Sequence, residues 1–123
     1  MGFNFERLDV YQKAVDFANN IYMVTKEFPK EEIFGLTSQL RRASVSISLN
    51  ISEGSSRSKK DFSRFIDLAR GSVFECVTVL QISLKQGYLD QRKFIELEDR
   101  LINLSKMLSG LKRSMNNELR TVN

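Results

Sequence analysis

Two carboxylates and one run of cations are the parts of this sequence with the means to do chemistry. Glu53 closes one apolar-periodic stretch, and Glu75 stands in the middle of another. Paired carboxylates suit acid–base work or a di-metal site. Di-metal bundles of that kind draw on Glu-x-x-His motifs from facing helices, and this chain has no histidine. A lone cysteine, Cys76, rules out an internal disulfide and a thiolate cage for zinc. Glu53 and Glu75 are therefore expected to be structural, and the protein is expected to be non-enzymatic, with no cofactor and no metal. Asn50, Glu53 and Gly54 together read as a clasp at the end of a helix. A Glu there opposes the helix dipole, so its expected partner is Arg42 or a backbone amide of the following turn.

The cations are Arg41, Arg42, Arg57, Lys59, Lys60 and Arg64, interleaved with Ser55, Ser56 and Ser58. Bases and hydroxyls in this mixture suit phosphate contact rather than base reading. The formal net charge is only +4, but it is segregated. Residues 41–64 set six bases against Glu53 and Asp61. Residues 100–123 set Arg100, Lys106, Lys112, Arg113 and Arg120 against Glu118. The other two stretches, 1–40 and 65–99, are net acidic. Lys112, Arg113 and Arg120 therefore offer a second basic surface.

Helical periodicity must position these groups, and it appears four times. The predicted helices cover about 6–27, 31–52, 59–86 and 91–118 of a single domain, 1–123. The second could be a strand over Val45–Ile51, where apolar and polar residues alternate. Helix is preferred because the spacing of three and four continues back to Leu36. Ser58 caps the third helix, with Asp61 at the third position, and Gly54 and Gly87 read as helix stops. Gly71, inside the third helix, is read as a point of close helix approach. Phe94, Leu97, Leu101, Leu104, Leu108, Leu111 and Met115 form a seam along the fourth. Short connections make successive helices antiparallel. The expected fold is all-α, an antiparallel up-down-up-down four-helix bundle.

The first helix carries two apolar stripes. Leu8, Tyr11, Val15, Ala18, Tyr22 and Thr25 are read as its core face. Val10, Ala14, Phe17, Ile21 and Val24 form a second stripe, and Val45 and Leu49 lie off the core face of the second helix. Val10, Phe17, Val24, Val45 and Leu49 are the expected oligomer interface, since surplus apolar surface marks contacts between chains.

No apolar run nears the roughly 18 residues of a membrane span. The opening "MGFNFERLDV" lacks the layout of a signal peptide. A cytoplasmic protein without membrane contact is expected.

Residues 28–89, "FPKEEIFGLTSQLRRASVSISLNISEGSSRSKKDFSRFIDLARGSVFECVTVLQISLKQGYL", resemble the core of the bacterial four-helix-bundle family encoded in intervening sequences of 23S ribosomal RNA genes. The resemblance runs from about Leu8 to Leu111. It rests on Arg42-Ala43, Ser46-Ile47, Asn50-Ile51, Glu53-Gly54, Phe62 with Phe65, Gly71-Ser72 with Glu75, and Gly87-Tyr88. Ser48 departs from the proline that relatives often carry. The resemblance implies a homopentamer of antiparallel bundles. A related branch comprises the accessory variability proteins of diversity-generating retroelements, which partner a reverse transcriptase and bind nucleic acid. Two functions stay open: association with RNA or an RNA–DNA hybrid through the basic surface, or a scaffold for a protein such as a reverse transcriptase.

Overall fold

The computed structural model describes residues 2–122, with side chains through residue 117. A short 3-10 turn, Asn4–Arg7, leads into α1, Asp9–Thr25. A connection holding a second 3-10 turn, Lys30–Glu32, leads to α2, Leu36–Ser55. Then come α3, Lys59–Lys85, and α4, Gln91–Val122. No strand is present among the described residues.

The direction of each helix follows from its side-chain contacts. Along α2 and α3, Ser46 meets Ser72 and Gly54 faces Phe65. Along α3 and α4, Ser63 meets Asn116 and Asp67 meets Lys112. In each pair one number rises as the other falls, so neighbours run antiparallel. Sequential helices pack against each other and α4 returns to α1, while α1–α3 and α2–α4 are diagonal pairs with no close backbone approach among the described residues. This is an up-down-up-down bundle. Its α1–α4 side is the lightest contact of the four. There Lys13, Asp16, Arg100, Asn103 and Leu104 line a groove of about 220 Å³.

The core is built from Phe17 and Ile21 of α1, Leu40, Ile47 and Ile51 of α2, Ile66 and Leu80 of α3, and Leu97, Leu101, Leu104 and Leu108 of α4. Each such side chain stabilises the fold by roughly 1.5–3 kcal/mol relative to exposure. The seam expected on α4 is buried from Phe94 to Leu108, and Leu111 and Met115 pack against the same core.

Both stripes of α1 contribute to the core: Ala18 and Thr25 of the stripe read as core are buried, but the second stripe, read as surplus, is buried more completely. Val10, Ala14, Phe17 and Ile21 are buried in the protomer's own core, with Phe17 only 1% exposed. Val10 and Phe17 therefore cannot line a contact between copies. Val24 is half-buried and packs on the same core. The stripe read as core has tyrosines at Tyr11 and Tyr22, which stay partly or largely exposed. Their hydroxyls favour the wet side of a helix. Of the expected interface, Val45 is half-buried and Leu49 is 59% exposed.

Several boundaries also move. The start of the first predicted helix is a separate 3-10 turn, and its end falls at Thr25, ahead of Phe28-Pro29. The second begins five residues later than predicted, because Lys30–Glu32 form their own 3-10 turn. Gly87 has φ +79° and ends α3 as expected. Gly54 is not a stop. It lies within the last turn of α2, where an added Cβ would come to 2.5 Å from Cβ of Phe65. Gly71 shows the opposite, since a Cβ there would meet nothing within 4 Å. The close approach expected at Gly71 occurs at Gly54.

Candidate nucleic-acid interface

The end of the bundle where α2 turns into α3 carries the predicted cations of residues 57–64. Ser58 caps α3 by accepting the Asp61 backbone N–H at 3.3 Å. That fixes Lys59, Lys60 and Arg64 on its first two turns, all exposed. Lys60 and Arg64 are one turn apart, about 6 Å along the axis. Cations at a helix N-terminus oppose its dipole, and Asp61 in the first turn offsets part of that cost. Buried Phe62 holds this turn onto the core.

Arg57 is tied down in two ways. Its Nη2 lies 3.2 Å from Oε1 of Glu53, and its guanidinium lies 5.0 Å from the centre of the Phe65 ring. The partner of Glu53 is thus Arg57, not Arg42. The clasp predicted for Asn50, Glu53 and Gly54 separates into three roles. Glu53 braces the turn, and Gly54 lets α3 approach α2. Asn50 bonds backwards instead, donating from Nδ2 to the Ser46 carbonyl at 2.9 Å and the Ser46 hydroxyl at 3.0 Å.

Two of the serines expected to donate to phosphate are already occupied. Ser55 donates to the Ser52 carbonyl at 2.8 Å, and Ser56 donates to the Glu53 carbonyl at 2.8 Å.

Arg41 and Arg42 do not belong to this patch. Fifteen residues of mostly helical chain separate Arg42 from Arg57, about 22 Å. Arg41 is engaged at the far end, where its Nε donates to Oγ1 of Thr25 at 2.8 Å and its guanidinium sits 4.7 Å over the Tyr22 ring. Arg42 lines a polar groove between α2 and α3 with Gln39, Ser46 and Glu75.

The antiparallel fold supplies other cations in their place. It returns the C-terminal part of α4 beside the start of α3, so Lys112 and Arg113 join Lys60 and Arg64 at one end. Lys112 Nζ lies 2.7 and 2.8 Å from the carboxylate oxygens of Asp67, and Arg70 Nη1 lies 3.3 Å from the same group. The Lys112 hydrogen bond, with the charges of Lys112 and Arg70, holds Asp67 below its usual range against the opposing effect of burial. Arg113 is exposed. The Arg120 side chain lies outside the described residues. Arg7, in the first 3-10 turn, is exposed at this end too. Sequence reasoning missed Arg7, and only the antiparallel topology brings it here.

At the opposite end Glu32 and Tyr88 are bonded within the fold. Glu32 accepts the Leu36 N–H at 3.1 Å and the Tyr88 hydroxyl at 2.9 Å. The Glu32 carboxylate and partial burial push the Tyr88 hydroxyl above its usual range. Cys76 is buried, and burial with the Glu75 charge pushes its thiol up to about 12. That makes it an inert core side chain. Among the described residues no His, Cys, Asp and Glu group is arranged to hold a metal ion. No helix is long and apolar enough to cross a membrane, among those described.

Comparison with known proteins bears on the fold. A family model described as 23S rRNA-intervening sequence protein matches residues 6–110. No curated protein matches. A crystal structure of a protein of unknown function from the S23 ribosomal protein family of Bacteroides thetaiotaomicron VPI-5482 superposes with TM-score 0.79. It is 23% identical, and the match covers 85% of this chain and 95% of that one.

Proposed function

The chain belongs to the 23S rRNA-intervening sequence protein family, and from that premise we propose that it is a non-enzymatic, homo-oligomeric bundle that associates with nucleic acid through its basic end. One observation carries this reading: cations from separate segments, residues 57–64 and 112–113, meet at one end of the bundle. Lys60, Arg64 and Arg113 are exposed there. RNA, or an RNA–DNA hybrid, is the proposed ligand class. The contacts would go to phosphates, since a shape made of bases and hydroxyls reads no sequence. Several copies on one ring would multiply a weak patch into useful affinity. The number five rests on the family resemblance alone. We take the site of action to be the cytoplasm.

The test is anisotropy of labelled structured RNA, duplex DNA and a hybrid, at about 50 and 200 mM salt. Three phosphate contacts predict a roughly 40-fold fall in affinity over that range. The triple variant Lys60→Glu, Arg64→Glu, Arg113→Glu should abolish binding. Equal binding by the variant, or none by the wild type at the lower salt, defeats the proposal. Sedimentation velocity of the wild type and of Leu49→Arg checks the assembly.

A second reading draws on the opposite end. Phe34 is 95% exposed on the α1–α2 connection, beside half-exposed Ile33 and the acids Glu31 and Glu32. An ordered, exposed aromatic with acidic flanks suits a protein partner with an apolar pocket and a basic rim. A reverse transcriptase is the partner class that the resemblance implies. Binding of that kind would survive the higher salt.

A further inference from the structure

The first 3-10 turn presents an aromatic ring at the same end as the cations. Phe3 is 69% exposed. Its ring stacks on Phe5 with centroids 5.7 Å apart and planes 13° from parallel. Phe5 in turn meets Tyr11 edge-on at 4.9 Å. The backbone under Phe3 is pinned, because its N–H donates to Oε1 of Glu6 at 3.0 Å. Gln12 Nε2 donates to the Glu6 carbonyl at 2.8 Å and ties the turn to α1. The turn also packs against α2, the helix that runs into Arg57. Phe3 is thus a fixed ring with one face covered by Phe5 and the other open.

Among the described residues the other aromatics at this end are less exposed: Phe5 and Tyr11 are half-buried. Phe62 is buried, and the guanidinium of Arg57 covers Phe65. The remaining exposed aromatics, Tyr22, Phe34 and Phe74, lie at the far end or on the middle of α3. Beside Phe3, a groove of about 360 Å³ is lined by Phe5, Glu6, Tyr11, Gln12, Val15 and Asp16. Its carboxylates repel phosphate but accept from the amino groups of bases. Cations on one side and a ring with acceptors on the other divide the labour between backbone and base.

We infer that Phe3 is a stacking platform for an unpaired base of the strand whose phosphates the cations hold. This rests on the nucleic-acid reading and narrows it to strands with single-stranded ends or loops. Within a duplex both faces of every interior base are stacked away from an external ring, whereas every unpaired base has a face to offer.

The test uses an RNA hairpin with a short 3′ overhang and the same hairpin with an abasic overhang, so phosphate number is constant. Wild-type protein should bind the base-bearing overhang at least about fivefold more tightly. Phe3→Ala should erase that preference while leaving the salt dependence and the abasic affinity unchanged. Phe3→Leu, which keeps apolar packing, should erase it as well. A 2-aminopurine in the overhang should be quenched by the wild type and not by either variant. Equal, salt-sensitive binding of both hairpins by the wild type overturns the stacking platform and leaves the phosphate contacts standing. Absence of binding to either hairpin at about 50 mM salt overturns both.

Discussion

The two ends of this bundle are closed by different forces. Where α2 turns into α3, the closure is apolar: Gly54 lets the helices touch, Phe62 is buried and Phe65 lies under Arg57. At the other end the closure is polar: Glu32 serves both the start of α2 and Tyr88, and Arg41 is bonded to Thr25. The contrast explains why Arg41, counted among the exposed cations by sequence, is held by the fold instead.

The largest expected effect breaks the apolar closure. Gly54→Val forces a side chain against the Phe65 Cβ, and overpacking of that kind costs about 2–3 kcal/mol. Urea denaturation should show the midpoint falling at unchanged slope. The polar closure should be worth less. Glu32→Ala leaves the Leu36 N–H without its cap, at about 1 kcal/mol, read from the thermal midpoint. The same variant should return the Tyr88 hydroxyl toward its ordinary range near 10, followed by ultraviolet titration. The sign is fixed by the raised value. This bond stabilises fully below the phenol's ordinary range and is lost as pH rises through the folded-state value.

Two smaller effects sharpen the comparison. Gly71 lies between the ends, with open space where a Cβ would go. Gly71→Ala should stabilise by about 0.5–1 kcal/mol, the opposite sign to Gly54. A loss of assembly in that variant would mean that another copy packs there. Lys112→Ala removes an exposed ion pair and should cost no more than about 0.5 kcal/mol. Asp67 is held low by Lys112, so this contribution is present above its ordinary value of 3.8 and lost as pH falls. The difference between variant and wild type should therefore vanish in acid.

Much of this architecture is legible in the residues. The Ser58 cap, the Gly87 stop and the α4 seam follow from local rules that need no knowledge of neighbours. The choice between two stripes on α1 does not, because both repeat at three and four. The tyrosines on one of them were the available clue. The glycine roles also exceed local reading: helix spacing cannot tell which glycine faces a partner's Cβ. The basic patch was half legible. Adjacency in sequence wrongly joined Arg41 and Arg42 to Arg57–Arg64, while only the antiparallel return of α4 brings Lys112 and Arg113 alongside.

The light contact between α1 and α4 has a consequence for how the molecule opens. α1 is held by one substantial side, against α2, and one light side, against α4, so it is the helix expected to leave an α2–α3–α4 unit first. Peeling α1 away exposes Phe17 and Ile21 without separating the other three helices. Amide hydrogen exchange should find such a sub-global opening in α1, at a free energy below that of complete unfolding. The 3-10 turn that follows Phe3 would travel with it, so such an opening would carry away anything seated there.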